Sequence, residues 1–214
     1  MALTASTSPW LNKAQQQQLL ALARSSIEWG LESRERLQAA ECDSRLQTPG
    51  GCFVTLHSLD LNSLDLNSLD AAQCKKLRGC IGSLEAQQAL GQAVADAAYG
   101  AAFEDPRFAP VIAAELAQLV IDISVLTPSR ELTFTSDADL LQQLTPYEDG
   151  LTLSAGKLTA TFLPSVWELL PDKQAFLRQL KLKAGFNPDA EVAALHAYKY
   201  QAQCFTDSDS ARNC

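Results

Sequence analysis

A chain of 214 residues, 47% apolar and 20% charged, is long enough to bury on the order of 70% of its unfolded surface, as one large domain or two small subdomains sharing an interface. Its net charge of −8 and pI near 4.7 repel phosphate backbones, which disfavours nucleic acid as a partner while leaving room for a local basic pocket. No apolar run approaches the roughly 20 residues of a membrane helix, and MALTASTSPWLNK lacks the basic-then-apolar order of a secretory signal, so a cytoplasmic protein with no membrane partner is expected.

The first element predicted is a long helix over residues 11–38, with Leu19, Leu22, Ala23, Ser26 and Ile27 at i, i+3, i+4 spacing and Gly30 marking a kink or stop. TPGG breaks the chain at Thr48–Gly51, and CFVTLH (Cys52–His57) reads as a strand. SLDLNSLDLNSLD (Ser58–Asp70) repeats a five-residue unit too short for a solenoid. Its Asp and Asn suit turns, so it reads as an expanded loop between two strands.

KKLRGCIG is the partner strand, and an alanine-rich helix is predicted from Ser83 to about Phe103, ended by EDPRFAP. VIAAEL reads as a short helical turn. In LVIDISVLTP, Leu119, Ile121, Ile123 and Val125 face one way along a strand. Ser136 caps a short helix, with Asp139 in the capping-box position. Asp149-Gly150 reads as turn chemistry, and Ala155-Gly156 joins a hairpin. Asp172 and Gly185 bracket a further helix. Leu195–Phe205 alternates as a last strand, with His196 among tyrosines. Hairpins separated by helices, without βαβ alternation, indicate an α+β fold: mixed or antiparallel sheets with flanking helices, in two intimately packed subdomains.

Six cysteines without an export signal are expected as free thiols. No C-x-x-C occurs and the only histidines are His57 and His196, so no metal site and no cofactor are expected. No phosphate-cradling Gly-rich loop and no G-x-S-x-G elbow is present.

FVTL (Phe53–Leu56), LRGCIG (Leu77–Gly82), AAFEDPRF (Ala101–Phe108), ISVLTP (Ile123–Pro128) and TFLPSVWE (Thr161–Glu168) come in one order. In that order they resemble the AMMECR domain family, in bacteria called AmmeMemoRadiSam system protein A. The resemblance covers residues 12–205, leaving 1–11 as an N-terminal extension and 206–214 as a disordered C-terminal tail. It implies an intracellular α+β protein of two subdomains associated with a Memo-like protein and a radical SAM protein. It implies no reaction. Where this chain carries the S-L-D-L-N loop, the family has a short hairpin.

An extended Leu77–Gly82 places Arg78 and Cys80 on one face, where the guanidinium favours the thiolate. Gly79 permits a close approach of backbone or ligand, and Gly82 can take positive φ ahead of a helix starting near Ser83, whose free N–H groups add positive potential. The group forms an expected pocket for a small anionic ligand, with Asp105 and Arg107 of the EDPRF turn either holding Arg78 or a ligand or pairing with each other. His57 is the candidate base beside Cys80 if strand register puts both on one face. Against this stands a buried, inert Cys80 in a tight architectural connection. Trp167 is expected in the core or at a subdomain interface. Two functions follow: a binding component holding a small ligand or partner, or a thiol-dependent enzyme in which Cys80 is the nucleophile or redox group and Arg78 binds an anionic substrate.

Overall fold

The computed structural model describes residues 10–39, 43–59, 75–190 and 194–208. The repeat loop, apart from Ser58 and Leu59, and Cys42, Cys74 and Cys214 lie outside them. The fold is α+β, and the chain divides into two compact units: residues 1–125 with 203–214, and residues 126–202.

The first unit opens with α1 (Lys13–Ser33), shorter at both ends than predicted. Asn12 accepts from the Gln15 amide at its start, and Arg34 takes the left-handed conformation at its end (φ 63°). Three antiparallel strands follow the order β2-β1-β3: β1 is Cys52–Leu59, β2 Lys75–Ser83 and β3 Leu119–Leu126. The final residues of the last strand lie beside β3, where the Asp207 carboxylate accepts the Ile121 amide at 2.8 Å and pairs with Arg24. Thr206, the first position of the expected tail, ends a strand, and Leu11, the last of the expected extension, is buried in the core. Residues 209–214 lie outside the described part.

Between β2 and β3 runs α2 (Leu90–Phe103). Its buried face is mostly alanine and glycine, so little side-chain bulk separates helix from sheet. A Cβ on Gly79 would lie 2.0 Å from the Ala101 carbonyl oxygen, and only glycine admits that approach. Val54, Leu56, Ile121 and Ile123 complete the core from the sheet side. The helix predicted from Ser83 is a correction: residues 83–89 are not helical, because Ser83 still ends β2 and the first helical turn waits for Leu90.

The second unit is built on β5 (Asp149–Ala155), β6 (Leu158–Phe162) and the first part of β7 (His196–Thr206), with the short β4 (Arg130–Leu132), which the sequence did not indicate, on the far side of β7. Helix α3 (Asp137–Gln142) is capped by Ser136, and α4 (Lys173–Ala184) by Asp172 and by Gly185 at φ 85°. Trp167, in a 3-10 turn over Pro164–Glu168, is fully buried and stacks on Phe176 with centroids 3.7 Å apart. Asp149-Gly150 is not a turn. Asp149 begins β5, buried against Lys199 at 3.1 Å, and Gly150 admits the Tyr200 ring.

Candidate functional site

Strand β2 holds the signature. Cys80 pairs with Thr55 of β1, whose own partner on β3 is Asp122. Directly opposed residues project from the same face, so one row runs Cys80–Thr55–Asp122 across three strands, opposite the face that packs on α2. Thr55 Oγ1 donates to Cys80 Sγ at 3.2 Å, and a Thr206 hydroxyl contact reaches Asp122. Cys80 is a half-buried free thiol, and Cys204 is half-buried with its Sγ 3.3 Å from the Ser124 hydroxyl. Cys52, two residues before Val54 on the core face, is buried, and that burial together with Asp96 pushes its thiol up to about 12, so it is an inert apolar filler.

His57 shares the face of Thr55 and Cys80 but sits diagonal to Cys80 rather than opposite it. Its Nδ1 lies 2.9 Å from Asp122 Oδ2, an ion-pair distance at an orientation that does not make a directed hydrogen bond. Lys75 Nζ approaches the other oxygen at 3.6 Å. Burial raises the Asp122 pKa, yet the His57, Thr206 and Lys75 contacts outweigh it and hold the carboxyl below its ordinary value. The side chain touching the thiol is thus a hydroxyl, and the imidazole is turned to a carboxylate on the other neighbouring strand.

Arg78 departs from the expected arrangement. The register slips between Leu56 and His57, leaving Arg78 as the extra residue of a bulge, which breaks simple alternation. Its guanidinium makes a bidentate pair with Glu115 at 2.7 and 3.1 Å and donates to the Ala109 carbonyl at 2.7 Å. The Arg78 pair holds Glu115 below the usual carboxylate range. Arg107, not Arg78, reaches Cys80, and it does so through the backbone carbonyl at 3.4 Å. The Asp105 carboxylate accepts the Cys80 amide at 2.9 Å and is paired with Arg107 at 2.6 Å. Of the two readings of the EDPRF turn, the mutual pair is the one present. Its physical role is clear: β2 is an edge strand, and the pair takes up the outward N–H and C=O of Cys80. The Arg107 bond and the backbone donors hold Asp105 well below the usual range against the effect of burial.

Gly82 does not have positive φ; among the described glycines only Gly156 and Gly185 do. Its Cβ would instead lie 2.2 Å from the Cys52 carbonyl oxygen. No helix start adjoins it, so the anion pocket expected from Arg78, Gly82 and a helix N-terminus is not assembled.

What does adjoin the signature is an open cleft of about 440 Å³ beside Ile81, Gly82 and Ser83. Its floor is apolar, from Ile81, Ala93 and Ala97; Arg36, Glu85, Gln88 and Asp96 supply polar groups around it. Asp96 is fixed by Gln88 at 2.8 Å and Gln92 at 3.1 Å, and Arg36 donates to its backbone carbonyl at 3.1 Å. Sequence reasoning missed Asp122, Glu115, Arg36 and Asp96. Asp122 had a signal, as the single charge on the polar side of the LVIDISVL alternation; Arg36 and Asp96 had none, since each lies on a helix-compatible run.

Four likenesses to known proteins bear on this geometry. Protein MJ0810 of Methanocaldococcus jannaschii is 35% identical over 159 residues, 73% of each chain. A protein of Thermofilum pendens is 32% identical over 197 residues, 89% of this chain and 88% of that one. The crystal structure of the uncharacterized protein PH0010 from Pyrococcus horikoshii superposes with a TM-score of 0.76 at 30% identity, covering 89% of this chain and 90% of the other. The AMMECR1 family model matches residues 20–205, across the strand pair, the cleft and the second unit. The chain belongs to the AMMECR1 family.

Proposed function

We propose that this chain is a binding component of a modification pathway, acting with a Memo-like protein and a radical SAM protein, and that the cleft beside Ile81–Ser83 is its small-ligand site. The observation that carries the binding reading is that cleft: a volume within the range of small-molecule sites, an apolar floor and a few convergent polar groups held in place by their own hydrogen bonds. The pathway partners rest on the family resemblance alone.

The thiol-enzyme reading keeps one supporting observation, the Thr55 hydroxyl donated to a half-exposed Cys80 on a face shared with His57 and Asp122. Among the described residues no base lies within hydrogen-bond reach of the thiol, and Arg78 is committed to Glu115. Titration calorimetry of the wild type and Cys80→Ser against the purified Memo-like and radical SAM proteins of the same organism separates the two. A binding component keeps its affinity within about twofold in the variant. No complex at tens of micromolar would remove the partnership. A pathway that stalls with Cys80→Ser while the complex persists would make Cys80 the reacting group.

A further inference from the structure

We infer that the cleft beside the signature selects a small organic cation, an ammonium or amidinium on an apolar body, and rejects anions. The inference rests on the cleft being a ligand site, and it reverses the sign of charge expected from the sequence. Three charged side chains line the cleft: Arg36, Glu85 and Asp96. The one positive group is already consumed, because Arg36 is paired with Glu104 and reaches Asp96 with its other nitrogen at 3.7 Å. Two carboxylates against one neutralised guanidinium leave the interior negative. In the wall, burial first and the neighbouring Asp96 carboxylate second raise the pKa of the Cys52 thiol.

The donors and acceptors agree with the charge. Asp96 receives one amide on each carboxylate oxygen, from Gln92 and Gln88, which orients both oxygens and leaves lone pairs of each unused. Among the described residues, the Glu85 carboxylate accepts a hydrogen bond only from Gln87, an exposed neighbour. An amidinium presents paired N–H groups that fit such a carboxylate with charge assistance. Ile81, Ala93 and Ala97 supply the apolar surface for the remainder of the ligand. The one cationic group an anion would meet in the cleft is a guanidinium that two carboxylates already hold.

The test uses three probes of one shape and different charge: benzamidine, benzamide and benzoate. Each is titrated into the full chain, with amide chemical shifts as the readout. Benzamidine is expected to bind at least about tenfold more tightly than benzamide, and benzoate not to bind, with shifts confined to residues 81–88 and 93–97. Asp96→Asn should bring benzamidine down to the benzamide level. Because Asp96 also anchors Gln88 and Gln92, Glu85→Gln serves as a second, exposed variant expected to weaken benzamidine without affecting benzamide. Ala93→Leu, which fills the floor, should abolish all binding. Benzoate binding as well as benzamidine would overturn the cation selectivity while leaving the cleft as a site. No shift with any probe at millimolar concentration, or binding that Ala93→Leu leaves unchanged, would overturn the cleft itself.

Discussion

The two units differ in how many of their partly buried polar groups are already tied up by the fold. In the second unit every buried charge has a structural task. Lys181, wholly buried, meets the Asp137 carboxylate and the Ala190 carbonyl. Asp149 pairs Lys199 and accepts the Thr145 amide at 2.7 Å. Lys173 and Lys199 between them donate to the carbonyls of Leu141, Leu144 and Gln143 at the C-terminal end of α3, the end of a helix that attracts cations. In the first unit the buried Ser26 and Asp105 are likewise spent, on the Ala95 carbonyl and the Cys80 amide, but further polar residues stand on the far sheet face and in the cleft. There Cys80 has one hydroxyl contact, and His57 Nδ1 has a carboxylate beside it but no directed bond. Hydrogen-bonding capacity already spent on the fold is not available to a ligand, which is the physical reason the proposed binding site lies in the first unit.

That contrast can be broken in a definite order. The largest effect is expected from Trp167→Ala, which removes the stacked partner of Phe176 and the bond from Nε1 to the Asp149 carbonyl at 2.7 Å. A loss of about 3–5 kcal/mol in urea unfolding is expected; less than 1 kcal/mol would mean that the aromatic stack is not what holds the second unit. Next comes Gly79→Ala, for which the Ala101 carbonyl leaves no space. About 1–3 kcal/mol should be lost as α2 is forced from β2, and an unchanged urea midpoint would show that helix and strand are not in the contact described.

Acid unfolding sharpens the comparison further. The carboxyls of Asp105, Glu115 and Asp122, all in the first unit, are held below their ordinary values. A carboxyl with a depressed folded-state pKa adds stability that is complete above its unfolded value, near pH 4, and is lost as pH falls through the folded value. Stability measured from pH 6 to pH 2 should therefore fall steeply below about pH 4, and Glu115→Gln or Asp105→Asn should flatten that limb while lowering the plateau. An acid limb identical to wild type in both variants would place the responsible groups elsewhere. The smallest effect belongs to the second unit's surface: His196 pairs Glu131 at 2.7 Å, but both side chains are more than half exposed. His196→Ala should cost under about 0.5 kcal/mol, and a larger loss would contradict the view that exposed pairs contribute little here.

The elements that local chemistry specifies were legible from the residues alone. Ser136 and Asp172 cap their helices because a short oxygen-bearing side chain ahead of an apolar period accepts the first free amides. The β5–β6 hairpin followed from Ala155-Gly156, and the core face of β3 from strict alternation. Family membership was legible too, since LRGCIG and EDPRF are contiguous strings. Partner choice was not. Arg78 selects Glu115, and Asp105 selects Arg107, because a bulge that appears only when β2 pairs with β1 takes Arg78 out of the row of Cys80. Whether His57 shares a face with Cys80 depends on register, and its turn toward Asp122 depends on β3 lying on the opposite side of β1. The cleft needs the segment after α1, β2 and α2 brought together, with Arg36 reaching Asp96 across 60 positions. Sequence determines what each segment prefers to be; which charges meet, and with what sign they line a cavity, is decided only when segments distant along the chain are packed against one another.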